Sequence, residues 1–370
     1  MITSVATQPW SLLPNRVSRF YRGGLLLERF RGESAADDSD RPEDWIGSAT
    51  TAWTAPGAPR TDEGLGAADV AGRRHRIADL LSADPRSIGG ELTTIAGPTL
   101  GVLVKLLDAG IRLPVHAHPT RAFARAHLGS FFGKAEAWIV LETRAISGEP
   151  PPHIRLGFRR GVARDELRGW IEAERGDTVL DAMHSRPAVP GDVWFVPPGT
   201  PHAIGAGVFI LEVQEPADFS IVAETGEFPI DRDDAHLRLG WDVTIDAFDR
   251  RALNDAALDQ LRTAMPAEMD GATSRQTLLG PAARPFFRAE RWFVAGSFEP
   301  ELDPAFVVGV VTAGEGVVRT SGGERAVRRG STFGVPAAAA STLSIEAPDR
   351  LTVIACRAPE PADVARAEES

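Results

Sequence analysis

The stretch "PGDVWFVPPGTPHAIGAG", Pro190 to Gly207, decides how the rest of the chain is read. After Gly191 comes "DVWFV", a short run of β-branched and aromatic residues of the kind that forms strands. Pro197, Pro198 and Gly199 then turn the chain, since proline presets φ and glycine tolerates the left-handed region. His202 follows three residues after the glycine, so the turn fixes where its imidazole goes. A histidine delivered in this way matters chemically only if other ligating groups converge on it.

The nearest candidates lie upstream, in "LPVHAHPT", Leu113 to Thr120. On an extended strand His116 and His118 leave the same face, while Val115 and Ala117 leave the other. Two imidazoles on one face offer a pair of nitrogen ligands to one metal ion, or simply a polar patch. Further along, Glu136 opens the apolar run "EAWIVLE", where an inward carboxylate without a partner would be costly. Metal ligation accounts for Glu136 together with Lys134 and Gly133 just before it; a solvated strand end is the alternative.

Outward from these segments the text is mostly β. Short apolar runs recur, punctuated by Gly and Pro: "GVLVKLL", "AEAWIVLET", "GVFILEVQE", "RWFVAGSFE", "FVVGVVTAGEGVVRTSGG" and "RLTVIACRA". Runs of this length are strands of a sandwich or barrel. Helical periodicity is confined to "RIADLLSADP" (Arg76 to Pro85), "VARDELRGWIEAERG" (Val162 to Gly176, stopping at the glycine) and "RALNDAALDQLRTAM" (Arg251 to Met265). "TAPGAPRTDEGLGAADVAG" and "SGEPPPH" read as surface loops. Composition shifts from helix to strands around Leu278 to Phe293. The organisation expected is a metal-binding β domain over 1–245 with a helical insertion near 160–185, a helical connection over 246–280, a second β domain over 281–358 and a tail over 359–370.

Composition narrows the function. A net charge of −11 over 370 residues argues against a polyanionic partner such as nucleic acid. Cys356 is the only cysteine, so neither an internal disulfide nor a thiolate metal cluster is available, and a metal must sit on His, Glu or Asp. No secretory leader and no apolar run long enough for a membrane span is visible, so a cytoplasmic protein without a membrane partner is expected. His75, His127, His153, His184 and His236 read as solvated or structural.

Gly191, Pro197, Gly199 and His202 match every fixed position of G-x5-P-x-G-x2-H, and the stretch resembles the second signature of the cupins, small β-barrels that hold a metal at the mouth. The order H-x-H-P, G-K-x-E-x-W, V-P-x-G-T-x-H-A-I-G-x-G and L-E-V-Q is similar to the type I mannose-6-phosphate isomerases, metal-dependent bicupins that interconvert mannose 6-phosphate and fructose 6-phosphate. "GGLLLERF", "WIGS", "IADLLSADPRSIGG" and "LVKLL" have counterparts in the same order, so the resemblance spans most of the chain. It implies a mainly β bicupin with helical insertions. The C-terminal cupin, "VVGVVTAGEGVVRTSGGERAVRRGSTFGVPA", has no histidine and lacks metal ligands.

The resemblance implies one divalent metal ion on His116, His118, Glu136 and His202, zinc first, with Mn, Fe, Co and Ni also suited to such donors. It implies a small-molecule sugar or sugar phosphate as the partner, with Lys105 and Lys134 binding it; the oligomeric state is not given. Aldose–ketose isomerisation needs polarised oxygens and a base near the carbons. Glu212 alternates with Ile210 and Val208 and is the carboxylate placed for that role, with Lys134 reaching the same mouth. Three positions depart from the family: His116 stands where it has Gln, Pro114 where it has Ser, and Val222 where it has an active-site Arg. Arg232 lies downstream of the last. These departures keep three other readings open: an isomerase of a different or unphosphorylated sugar, a sugar-binding cupin without turnover, and a three-His-one-Glu cupin oxygenase.

Overall fold

The computed structural model describes residues 5–54, 61–264 and 273–368. Among the described residues the strands form sheets of seven, five and nine members. The seven-stranded sheet runs Arg262–Ala264, Asp192–Val196, Glu136–Thr143, Val208–Gln214, Leu103–Ala109, Glu43–Ile46 and Arg16–Val17. Its central strands are buried on both faces, which is why they read as unbroken apolar runs and not as alternating ones. One face carries Val104, Leu106, Ala137, Ile139, Val193 and Leu211, which share a core with Phe306, Val308, Val310 and Ile354 of the nine-stranded sheet. The other carries Leu107, Trp138, Val140, Trp194, Val208 and Ile210, packed on Ile154, Leu156 and Ile204 of the five-stranded sheet. Burying each such side chain contributes roughly 1.5–3 kcal/mol, so the seven-stranded sheet is clamped from both sides.

The five-stranded sheet runs Met183–Pro187, His153–Phe158, His202–Ile204, His116–Ala117 and Ile221–Val222. Leu156, His202, His116 and Val222 stand in one cross-strand row. The nine-stranded sheet holds the strands from Ser274 to Arg357 and is extended by Trp10–Leu12, Ala67–Val70 and Arg73–Arg76. Its own core lies around Trp292, Val311, Phe333, Val335, Leu351 and Val353. The chain is therefore mainly β with peripheral helices, as the sequence leads one to expect, but the division at 245 and 281 is crossed: three strands between Trp10 and Arg76 join the sheet of Ser274 to Arg357, because edge pairing recruits them. No helix among the described residues is long and apolar enough to cross a membrane.

Some local expectations are corrected. The helix expected over Arg251 to Met265 spans only Asp255–Gln260, with Asn254 as its cap; Arg262–Ala264 is a strand paired with Asp192–Trp194. Edge pairing with an existing sheet outweighs the weak helical period there, and Met265 lies outside the described residues. In Val162 to Gly176 the helix is Arg164–Glu172, with Leu167 and Ile171 buried. It stops ahead of Glu174, which takes φ 54°, and Gly176 opens the next helix instead of ending this one. Within "TAPGAPRTDEGLGAADVAG", residues 55–60 lie outside the described residues, and Ala67–Val70 forms a hairpin with Arg73–Arg76 where a loop was expected. Pro85 does end the helix Ile77–Ala83, and it also starts the next one, capped by Asp84.

Candidate metal centre and substrate cavity

The turn after "DVWFV" is a type II turn. Thr200 N–H donates to Pro197 O at 3.1 Å, Pro198 sits at the second position, and Gly199 takes φ 83° at the third. Gly199 N–H in turn donates to His118 O at 2.7 Å, which ties the turn to the H-x-H segment. A second close approach comes from Gly133: a Cβ there would stand 2.5 Å from Pro119 O and 2.6 Å from Arg121 N. The bare glycine lets Lys134 N–H reach Pro119 O at 3.0 Å, so the K-x-E segment docks directly behind the two histidines.

These contacts bring together His116, His118, His202 and Glu136. Each imidazole is held through Nδ1 by a backbone carbonyl: Pro114 O for His116 (2.9 Å), Phe219 O for His118 (2.8 Å) and Thr200 O for His202 (2.8 Å). Nδ1 must donate in all three, which leaves every Nε2 as a lone pair. Those lone pairs converge. His116 Nε2 and His202 Nε2 are 2.9 Å apart; Glu136 Oε2 is 2.9 Å from His118 Nε2, and Oε1 is 3.2 Å from His202 Nε2. Trp138 Nε1 donates to Glu136 Oε1 at 3.0 Å, and Lys134 Nζ approaches both His118 Nε2 (2.7 Å) and Glu136 Oε2 (3.1 Å).

The electrostatics agree with a cation site. Burial first, then His202, His118 and Lys134, hold His116 well below the usual histidine range; burial and Lys134 lower His118 to about 3. Burial also lowers His202. For Glu136 burial acts upward, but Lys134, His118 and His202 outweigh it and keep the carboxyl ionised. Neutral imidazoles and one carboxylate, all buried, are the donor set a divalent ion takes. Two neutral Nε2 acceptors facing each other at 2.9 Å repel unless a cation lies between them, so the residues present fit such an ion. The Nδ1–carbonyl bonds are the outer partners that orient metal-binding histidines.

The cluster opens on a cavity of about 520 Å³ lined by His116, Lys134, Glu136, Lys105 and Glu212. All seven residues singled out from the sequence therefore meet in one place. Lys105 and Glu212 are cross-strand partners on the face turned toward the histidines, with Nζ 3.1 Å from Oε2. Burial raises the Glu212 carboxyl, against the pull of Lys105. Lys105 itself stays charged: burial lowers it, and Glu212 and Glu43 more than reverse that. Arg232 does not enter the cavity; its exposed side chain pairs with Glu174. Val222 and Pro114 do line it.

Among the lining residues that sequence reasoning missed are Arg19, Tyr21, Glu43 and Asp218. Arg19 binds Glu43 at 3.0 Å and Asp218 at 3.1 Å, and Tyr21 Oη donates to Glu43 at 2.5 Å. Trp45 Nε1 also donates to Glu43, at 2.7 Å, and its ring is flanked by Arg19 and Lys105. The available signal was "EDWI", in which Glu43 and Trp45 share a strand face. For Glu43 burial acts upward, but Arg19 and Lys105 overcome it and hold the carboxyl far below the ordinary value of 4.5. Its contribution to stability is thus complete above that value and is lost as pH falls. Glu43→Gln should destabilise the fold by about 3 kcal/mol, because Arg19 and Lys105 lose a buried partner. Chemical denaturation between pH 7 and 3 should show a shallower acid loss than wild type; an unchanged midpoint would contradict the network's role.

No family model matches the chain. Among curated proteins, the mannose-6-phosphate isomerase of Streptococcus mutans is 31% identical over 262 residues, covering 70% of this chain and 74% of that protein. Among solved structures, the mannose 6-phosphate isomerase of Bacillus subtilis superposes with a TM-score of 0.63 at 20% identity, covering 95% of this chain and 99% of the other. A mannose 6-phosphate isomerase bound with zinc and yttrium gives 0.65 at 14% identity, covering 95% and 99%. The structural likenesses establish the bicupin fold. The identity to the streptococcal isomerase, sustained over that much of both chains, goes further: this chain belongs to the mannose-6-phosphate isomerase family.

Proposed function

We propose that the chain is a metal-dependent aldose–ketose isomerase for a mannose-type sugar, working through an enediol. The observation that carries this reading is the convergence of three Nδ1-anchored imidazoles and Glu136 beside Lys134, Lys105 and Glu212 at one end of a sugar-sized cavity. His116, His118, His202 and Glu136 would hold one divalent ion, zinc first. Such an ion supplies Lewis acidity to the substrate's carbonyl and hydroxyl oxygens.

The remaining steps fall to side chains. Glu212, its carboxyl raised by burial, is suited to take the proton from C2 of the aldose and return it to C1. Lys134 donates to the C1 oxygen as the enediol forms and receives the proton of the C2 hydroxyl as the ketose forms. Lys105 keeps Glu212 in place and offers hydrogen bonds to the sugar.

The names of the relatives make mannose 6-phosphate, yielding fructose 6-phosphate, the reference substrate beside mannose itself. The test uses protein stripped by a chelator and reloaded in turn with Zn, Mn and Co. Ketose formation should vanish on stripping and return on reloading. Metal demonstrably bound, with no ketose from either substrate, would overturn the reading.

A further inference from the structure

The cavity has two chemically distinct halves. On its floor every cation among the described lining residues already has a carboxylate. Arg19 is held by Glu43 at 3.0 Å and by Asp218 at 3.1 Å; Lys105 lies 3.1 Å from Glu212 and 3.7 Å from Glu43; Lys134 lies 3.1 Å from Glu136. Asp231 and Asp234 line the cavity as well, so acids outnumber bases. Asp231 spends its carboxylate on the N–H groups of residues 233 and 234, and Asp234 accepts from Arg238. A phosphate dianion is recognised by uncommitted guanidinium, ammonium or backbone N–H groups. Here it would have to displace an internal carboxylate and then sit beside it.

The side given by the five-stranded sheet is carbon around His116. Val222 is the cross-strand partner of His116, and Pro114 lies two residues before it, so the surface on both sides of that imidazole is apolar. Leu113 and Ile204, joined by a backbone hydrogen bond, continue the wall, and Ile230 and Leu237 line the cavity beside Asp231 and Asp234. Such a wall suits the C–H face or the uncharged end of a sugar, while the carboxylates opposite accept from its hydroxyls. A neutral polyol donates to the carboxylates of this floor and brings none of the charge they repel.

Resting on the isomerase reading above, we propose that the cavity selects an unphosphorylated sugar, its hydroxyls on the carboxylate floor and its uncharged end against the wall of Pro114 and Val222. The experiment compares kcat/KM of the metal-loaded full chain for D-mannose and for mannose 6-phosphate. The free sugar should be preferred by about 100-fold, since like charge placed against buried carboxylates discriminates strongly. A preference for the phosphate ester would overturn the proposal while leaving the isomerase reading intact. Calorimetric titration of the same two sugars separates the two ideas. If neither is turned over, the isomerase reading fails, and the binding comparison still decides: tighter binding of mannose upholds the selection. Tighter binding of mannose 6-phosphate, or of neither, overturns it.

Discussion

Replacing His118 by alanine should strip the protein of divalent metal and lower isomerase turnover by about 10³-fold or more, since loss of a Lewis acid removes several kcal/mol of transition-state stabilisation. The argument starts from the ring's two nitrogens. Nδ1 is fixed by Phe219 O, so Nε2 is committed as an acceptor toward Glu136 and Lys134. Alanine removes that acceptor and leaves Glu136 with only Lys134, His202 and Trp138 around it. The ammonium of Lys134 would then pair with Glu136 undisturbed, which weakens the site's hold on a divalent ion further. Metal content by mass spectrometry on purified variant and wild type is the direct readout, with circular dichroism to confirm the fold. Equal metal in the two proteins would remove His118 from the ligand set.

Glu212→Gln should act differently: metal retained, kcat reduced by about 10²–10⁴, the span expected when a general base is lost. Glutamine keeps the shape and the strand register while removing the proton acceptor. The expectation is sharpened by the contrast with Glu43. Both carboxylates are buried near Lys105, yet Glu43 also receives Arg19, Tyr21 and Trp45, whereas Glu212 has only the Lys105 ammonium, 3.1 Å from Oε2. The carboxylate with fewer donors, raised by burial, is the one suited to take a proton. The pH–rate profile should lose its acid limb in the variant. A profile of unchanged shape with a small change in kcat would reassign the base.

Much of this site was legible because its parts are local. "HAH" on a strand and "PPGTPH" around a turn each determine their own geometry within a few residues. "GKAE" needs only one close backbone approach, at Gly133. The strands were legible for a related reason: a sheet buried on both faces writes uninterrupted Val, Ile, Leu and Phe runs. What stayed hidden depends on pairing between distant segments. Nothing near Arg19 or Asp218 reveals that they meet 199 residues apart, and Asp218 lies in a loop with no period to read. Arg262–Ala264 looked like the end of a helix because its strand partner, Asp192–Trp194, lies far upstream. Lys105 and Lys134 could have been surface lysines on sequence grounds; burial beside carboxylates is a tertiary fact.

The strand Trp10–Leu12 has a bearing on how the protein is made. It pairs with Phe333 and Gly334, and Leu12 O accepts from Thr332 Oγ1 across 320 residues of chain. At about 5–20 residues per second of synthesis, the first strand waits roughly 15–60 s for its partner to emerge from the ribosome. During that interval Trp10, which ends fully buried against Phe306, has no native neighbour on that side. The nine-stranded sheet therefore closes only after the strand Thr332–Val335 has been synthesised. A nascent chain of this kind is a natural client for chaperones that shield early apolar segments, and a circular permutant that moves the first twelve residues behind the last strand should fold with less delay.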